Sequence, residues 1–194
     1  MSQFVLYFQL GIRHILDING LDHVLFIIAL CSIYILKDWK KVLILVTAFT
    51  IGHSVTLALS TLNIVLVRTE IIEFLITVTI FVTAFFNLFK KQFVFQPKRF
   101  QTNYIFALLF GLIHGFGFSN YLKSILGINT GVVMELFAFN LGIELGQIVV
   151  VIIFLSMSYI LINIFSVPRR DLNLVVSAGI AAIAITLMME TKFW

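Results

Sequence analysis

A chain of 194 residues and 22.1 kDa has room for one domain of ordinary size. Hydrophobic residues make up 61% of it and charged residues only 11%, against roughly 45–50% and about 25% in an average globular protein, so too few polar side chains exist to coat a water-facing surface. The formal net charge of +4 lies in short clusters between long apolar runs. This excludes a nucleic-acid binder and a disordered chain, and the single cysteine, Cys31, cannot close a disulfide within the chain.

The composition predicts an all-α, polytopic integral membrane bundle, with residues 1–194 forming a single transmembrane domain. In chain order, Ser2–Leu16 comes first and mixes Phe4, Tyr7 and Phe8 with Arg13 and His14. It reads as an interfacial or partly inserted helix. No basic segment precedes it and Asp17 stands where small residues would mark cleavage, which argues against a signal peptide. Six apolar segments follow: Leu21–Leu36, Val42–Leu62, Ile71–Phe89, Tyr104–Leu122, Val132–Phe165 and Leu172–Met189. Each approaches or exceeds the about 20 residues of a membrane-spanning helix, and none alternates in polarity as a barrel strand does. Pro97 and Pro168 fall between segments, and no convincing internal repeat is visible.

The connections alternate in charge. Lys37, Lys40 and Lys41 follow the first segment, Lys90, Lys91, Lys98 and Arg99 the third, and Arg169 and Arg170 the fifth, whereas the other connections carry only Arg68 and Lys123. Positive charge resists translocation, so the basic loops are expected in the cytoplasm and both termini outside.

The costly residues are those within apolar segments. An ionised side chain at a membrane helix centre costs about 2.5–3.5 kcal/mol on insertion scales. Yet all four histidines, His14, His23, His53 and His114, lie in or beside such segments, together with Asp17, Asp22, Glu70, Glu73, Glu135, Asn140, Glu144 and Gln147. The topology puts nearly all of them in the outer half of the bilayer. A lone membrane histidine is best read as an interhelical hydrogen bond; four at related depth predict one shared polar site, open to the outside. Asn140, Glu144 and Gln147 recur on one helix face. His14 and Asp17 are three apart, so the carboxylate can orient the imidazole. Ser54, beside His53, is a supporting candidate. Glycines flank His53, His114 and Glu144, where they allow close helix approach. Imidazole with carboxylate suits nickel, cobalt, zinc, copper or iron; the lone cysteine argues against a Cu(I) site.

At these residues the chain resembles the HupE/UreJ family of small bacterial membrane proteins. The stretches that carry the resemblance are GIRHILDINGLDHVLF (Gly11–Phe26), TAFTIGHSVTLAL (Thr47–Leu59), IIEFLI (Ile71–Ile76), FGLIHGFGFS (Phe110–Ser119) and FNLGIELGQ (Phe139–Gln147). Members are generally regarded as nickel or cobalt permeases serving hydrogenase or urease. The resemblance implies metal binding by His14, Asp22, His23, His53 and His114, supported by Glu73, Asn140 and Glu144, in a multi-pass protein of the bacterial inner membrane. The leading expectation is therefore a permease whose ligand is a divalent transition metal (nickel, cobalt or zinc), whose partners are the bilayer and the ion, and for which a homo-oligomer is compatible. The alternative is an intramembrane zinc hydrolase acting on lipid or a lipid-linked substrate, with Glu144, Asp22 or Ser54 assisting. A haem with axial histidines ranks last, because carboxylates crowd the site.

Overall fold

The computed structural model describes residues 2–17, 20–90, 97–126 and 132–194; Lys91 and the side chains of Lys98 and Arg99 lie outside the described set. The helices are α1 (Gln3–Leu16), α2 (Asp22–Cys31), α3 (Trp39–Thr61), α4 (Thr69–Leu88), α5 (Pro97–Gly117), α6 (Ser119–Leu126), α7 (Val132–Asn163) and α8 (Arg169–Glu190), with a 3-10 turn at Leu36–Asp38. No strand occurs among the described residues. The chain is an all-α membrane bundle. Its outer surface presents side chains such as Phe86, Leu66 and Val175, each more than two-thirds exposed, a surface that only lipid tails can solvate favourably.

Four stretches are each long and apolar enough to cross a membrane: Leu36–Thr61, Thr69–Leu88, Val133–Asn163 and Arg169–Glu190. Gln101–Gly117 and Ser119–Ile125 make a fifth when taken as one span bent by 46°. Pro97 is the first residue of α5 rather than a loop residue, a position where its missing N–H costs nothing.

α1 and α2 have 14 and 10 residues. At 1.5 Å per residue they are about 21 and 15 Å long, each short of the roughly 30 Å hydrocarbon core. They follow one another down the bundle in the same sense. α1 runs parallel to α7, with Phe8 against Gly142 and Ile15 against Gly146, while α2 leads from His23 beside His53 to Ser32 beside Asn87. The segment expected as an interfacial or partly inserted helix thus packs lengthwise along α7, and α1 and α2, taken end to end as one broken span, are together long enough for a single crossing. Asp17 and Gly20, which lie between the two helices, are poor helix formers.

One end of the bundle gathers the basic connections. There Arg169 donates from Nη2 to the Ile33 carbonyl, Asn103 donates to the Tyr34 hydroxyl at 3.0 Å, and Lys41 pairs with Asp38 at 2.6 Å. A buried polar network lies just inside this basic end. Asn87 Nδ2 donates to the Ala29 carbonyl (2.7 Å) and to Ser32 Oγ (3.1 Å), Asn173 Nδ2 donates to the Asn87 carbonyl (2.8 Å), and Ser177 donates to Asn173 Oδ1 (3.3 Å). It ties α2, α4 and α8 together.

Two helix pairs pack backbone to backbone, and they do so through the same pair of glycine contacts. A Cβ on Gly11 would strike the Phe139 carbonyl oxygen, and one on Gly142 the Phe8 carbonyl oxygen. Likewise a Cβ on Gly111 would strike the Phe49 carbonyl oxygen, and one on Gly52 that of Leu108. Only glycine permits such approach. The α1·α7 and α3·α5 pairs are both parallel: Ser60 of α3 bonds Ser119 just beyond α5 at 2.8 Å, and Gly115 lies against His53 and Thr56. The equivalence extends to sequence. Ala48-Phe49-Thr50-Ile51-Gly52 matches Ala138-Phe139-Asn140-Leu141-Gly142, and Gly11 with His14 matches Gly111 with His114. In chain order α1–α4 and α5–α8 therefore share one pattern of helix pairing, α1 with α7 and α5 with α3, which the divergent sequence between these few positions conceals.

Candidate metal centre

Two helix breaks and one unbroken helix build the centre. His14 stands in the last turn of α1 and His23 in the first turn of α2, so the break that halves this crossing turns both imidazoles into the bundle. His53 comes from the middle of α3, and His114 from the last turn of α5, just before its bend with α6. His53 and His114 are fully buried, His23 is 5% exposed and His14 is half-buried.

His23 is the hub. Its ring centroid lies 4.5 Å from that of His14, 5.9 Å from His53 and 5.2 Å from His114. One ring nitrogen from each of His14, His23 and His53 falls within 4.8 Å of the other two. Nitrogens bound to one tetrahedral ion at about 2.0–2.1 Å would be about 3.4 Å apart, a separation that the 4.8 Å ceiling on this group admits. Phe118 and Phe139 face His14 at 4.0 and 5.8 Å, and Phe49 faces His114 at 5.1 Å. These rings keep the cluster dry.

The polar accounting sets this cluster apart. His14 Nε2, His23 Nε2, both nitrogens of His53 and His114 Nδ1 are buried without any hydrogen-bond partner. Buried polar atoms are paired in roughly nine cases of ten, and each unpaired one costs about 1–3 kcal/mol. His114 shows which lone pair is offered. Its Nε2 lies 3.0 Å from Thr79 Oγ1, and that hydroxyl already donates its only proton to the Ile76 carbonyl at 2.7 Å. Thr79 therefore accepts from Nε2–H, and Nδ1 keeps its lone pair free. Thr79 carries no signal in the sequence, where it is one hydroxyl inside an apolar run; only the packing of α4 on α5 singles it out.

An open groove of about 790 Å³ leads to the cluster at the end opposite the basic loops, lined by Arg13, His14 and Asp17 from α1 and its end and by Phe118 and Tyr121 from the bend. Asp17 is exposed on its rim and Asp22 is half-buried next to His23. The polar face of α7 turns to α3: Glu144 accepts from Thr47 Oγ1 at 2.9 Å and Gln147 from Thr50 Oγ1 at 2.7 Å. Asn140 donates to its own helix at Leu136 O, and Ser54 likewise to Thr50 O. Buried Gln147 Nε2 and Asn140 Oδ1 are left unpartnered. Glu73 and Glu70 are exposed, the latter 3.5 Å from Arg68. Among the described residues, no carboxylate oxygen joins the group formed by His14, His23 and His53.

Fold and site together define a multi-pass membrane protein with an imidazole cluster in its interior, able by its chemistry to hold a metal ion. A family model described as HupE/UreJ protein matches residues 1–193, and the chain belongs to that family. No curated protein and no solved structure matches it.

Proposed function

We propose that this protein is a divalent transition-metal permease of the nickel/cobalt type, set in the bacterial inner membrane with its basic end in the cytoplasm. The observation that carries this reading is the cluster of unpartnered imidazole nitrogens at the foot of an open groove. The positive-inside preference points the groove outward, and Asp17 on its rim favours a cation. An arriving ion meets half-buried His14 first, sheds water in the phenylalanine-walled interior, and is taken by His23 and His53. Asp22 beside His23 offsets its charge. With membership in the HupE/UreJ family, nickel and cobalt are the first ions to test.

Zinc-dependent hydrolysis is the competing reading. It needs a carboxylate or hydroxyl placed to activate metal-bound water; Glu144 is bonded to Thr47 and Ser54 to its own helix, which leaves Asp22, beside His23 but outside the group formed by His14, His23 and His53, as its one candidate. In proteoliposomes the protein is expected to take up nickel or cobalt, and His23→Ala and His53→Ala to lose bound metal and uptake together. Metal held stoichiometrically without flux would overturn the permease in favour of an enzyme. Full metal retention in both variants would overturn the site.

A further inference from the structure

We propose that transport proceeds by the two copies of the repeat exchanging conformations, so that His114 becomes on the basic side the doorway ligand that His14 is on the opposite side. The inference rests on the permease reading above and adds to it the route through the inner half.

Each copy makes three crossings, counting the broken one as a single span, so the second copy runs through the bundle in the opposite direction from the first. α3 begins at the basic end beside the Leu36–Asp38 turn, and α7 finishes there before Arg169. α5 runs parallel to α3 and α1 parallel to α7, so α1 and α5 are antiparallel. Inverted repeats about a site near the bilayer midplane permit alternating access, because each copy can take up the conformation the other has just left.

The copies are not in the same conformation. α5 lies along α4, with His114 against Thr79, Gly117 against Ile76, and Asn120 bonded to Thr69 at 2.9 Å. The counterpart of that contact is α1 along α8, and among the described residues these two do not pack extensively, as α4 and α5 do. His14 accordingly borders an open groove while His114 is sealed. On the basic side the network of Ser32, Asn87, Asn173 and Ser177 holds α2, α4 and α8 together, beside a cavity of about 370 Å³ lined by Asn87, Asn103 and Phe110. Exchange sets α1 on α8, lifts α5 from α4 and opens that network. His23 and His53 stay central in both states, and the unpartnered Nδ1 of His114 is the lone pair ready to receive the ion.

The test uses the full chain with Cys31→Ala. Ser32 Oγ and Ser177 Oγ lie 3.5 Å apart, so Ser32→Cys with Ser177→Cys can be oxidised to a disulfide that locks the basic side shut. Oxidation is expected to stop nickel uptake into proteoliposomes while nickel still binds from the groove side, and reduction to restore uptake, which also reports correct folding. Independently of transport, Phe116→Cys, the register counterpart of groove-lining Leu16, is expected to react with an impermeant maleimide only from the basic side, marked by Lys40→Cys. That reaction should fall about tenfold or more when the lock is closed. Undiminished uptake through the locked protein, or Phe116→Cys labelling unchanged by the lock, overturns the exchange. Absence of nickel uptake by the unlocked parent overturns the permease reading alone, and the labelling then decides the exchange by itself.

Discussion

The imidazole cluster and the asparagine–serine network are both polar, both buried and both built where helices converge, yet their accounts differ. In the network every donor placed by Asn87, Asn173 and Ser177 finds an acceptor, and none of its side-chain atoms is among the buried unpartnered ones. In the cluster the same kinds of atom stand idle on all four histidines. A satisfied polar network holds helices in place; an unsatisfied one is a cost that a folded chain retains for a ligand. The first region is fastening and the second is a receptor.

Substitutions can break that contrast. The largest effect is expected at His53, whose two nitrogens bond to nothing in the protein: His53→Ala should abolish bound nickel by elemental analysis while leaving helical content intact. Adding nickel at about 100 times its Kd should stabilise the unmodified protein by about 2.7 kcal/mol, read as a rise in thermal midpoint that His53→Ala does not show. Asn87→Ala should do the reverse, lowering stability by about 1–3 kcal/mol through the acceptors it strands, with nickel binding from the groove side unchanged; loss of binding at equal stability would dissolve the distinction. Thr79→Val should lower nickel uptake about tenfold, as loss of an orienting partner does, with binding from the groove side unchanged, and Thr79→Ser should restore uptake. The smallest effect belongs to Glu73→Gln: exposed at the start of α4, this carboxylate should leave nickel affinity within about twofold, within the range of surface substitutions.

How far the residues alone could reach follows from the kind of interaction involved. Membrane residence and the all-α class come from composition and segment length, which are properties of the chain itself, and the basic connections do gather at one end; the expected span over Leu21–Leu36 is instead the 10-residue α2, and that over Tyr104–Leu122 is bent between α5 and α6. Pairing is different. That α1 stands upright along α7 rests on Gly11 and Gly142 meeting backbone to backbone, and no spacing within either segment announces a partner more than a hundred residues away. The repeat was hidden for the same reason: few side chains are needed to preserve a glycine contact, so the rest diverged while the geometry stayed. Glu144 and Gln147 share a helix face, as their spacing requires, but their partners are Thr47 and Thr50 of α3, which only the crossing of α3 and α7 selects.

Hydropathy and charge, summed locally along the chain, determined that this protein is a helical membrane bundle with costly imidazoles inside it. Only the tertiary structure decided which nitrogens are left without partners, which histidine meets the open groove and which is sealed against Thr79, because those outcomes depend on helix pairs brought together through backbone contact at a handful of glycines.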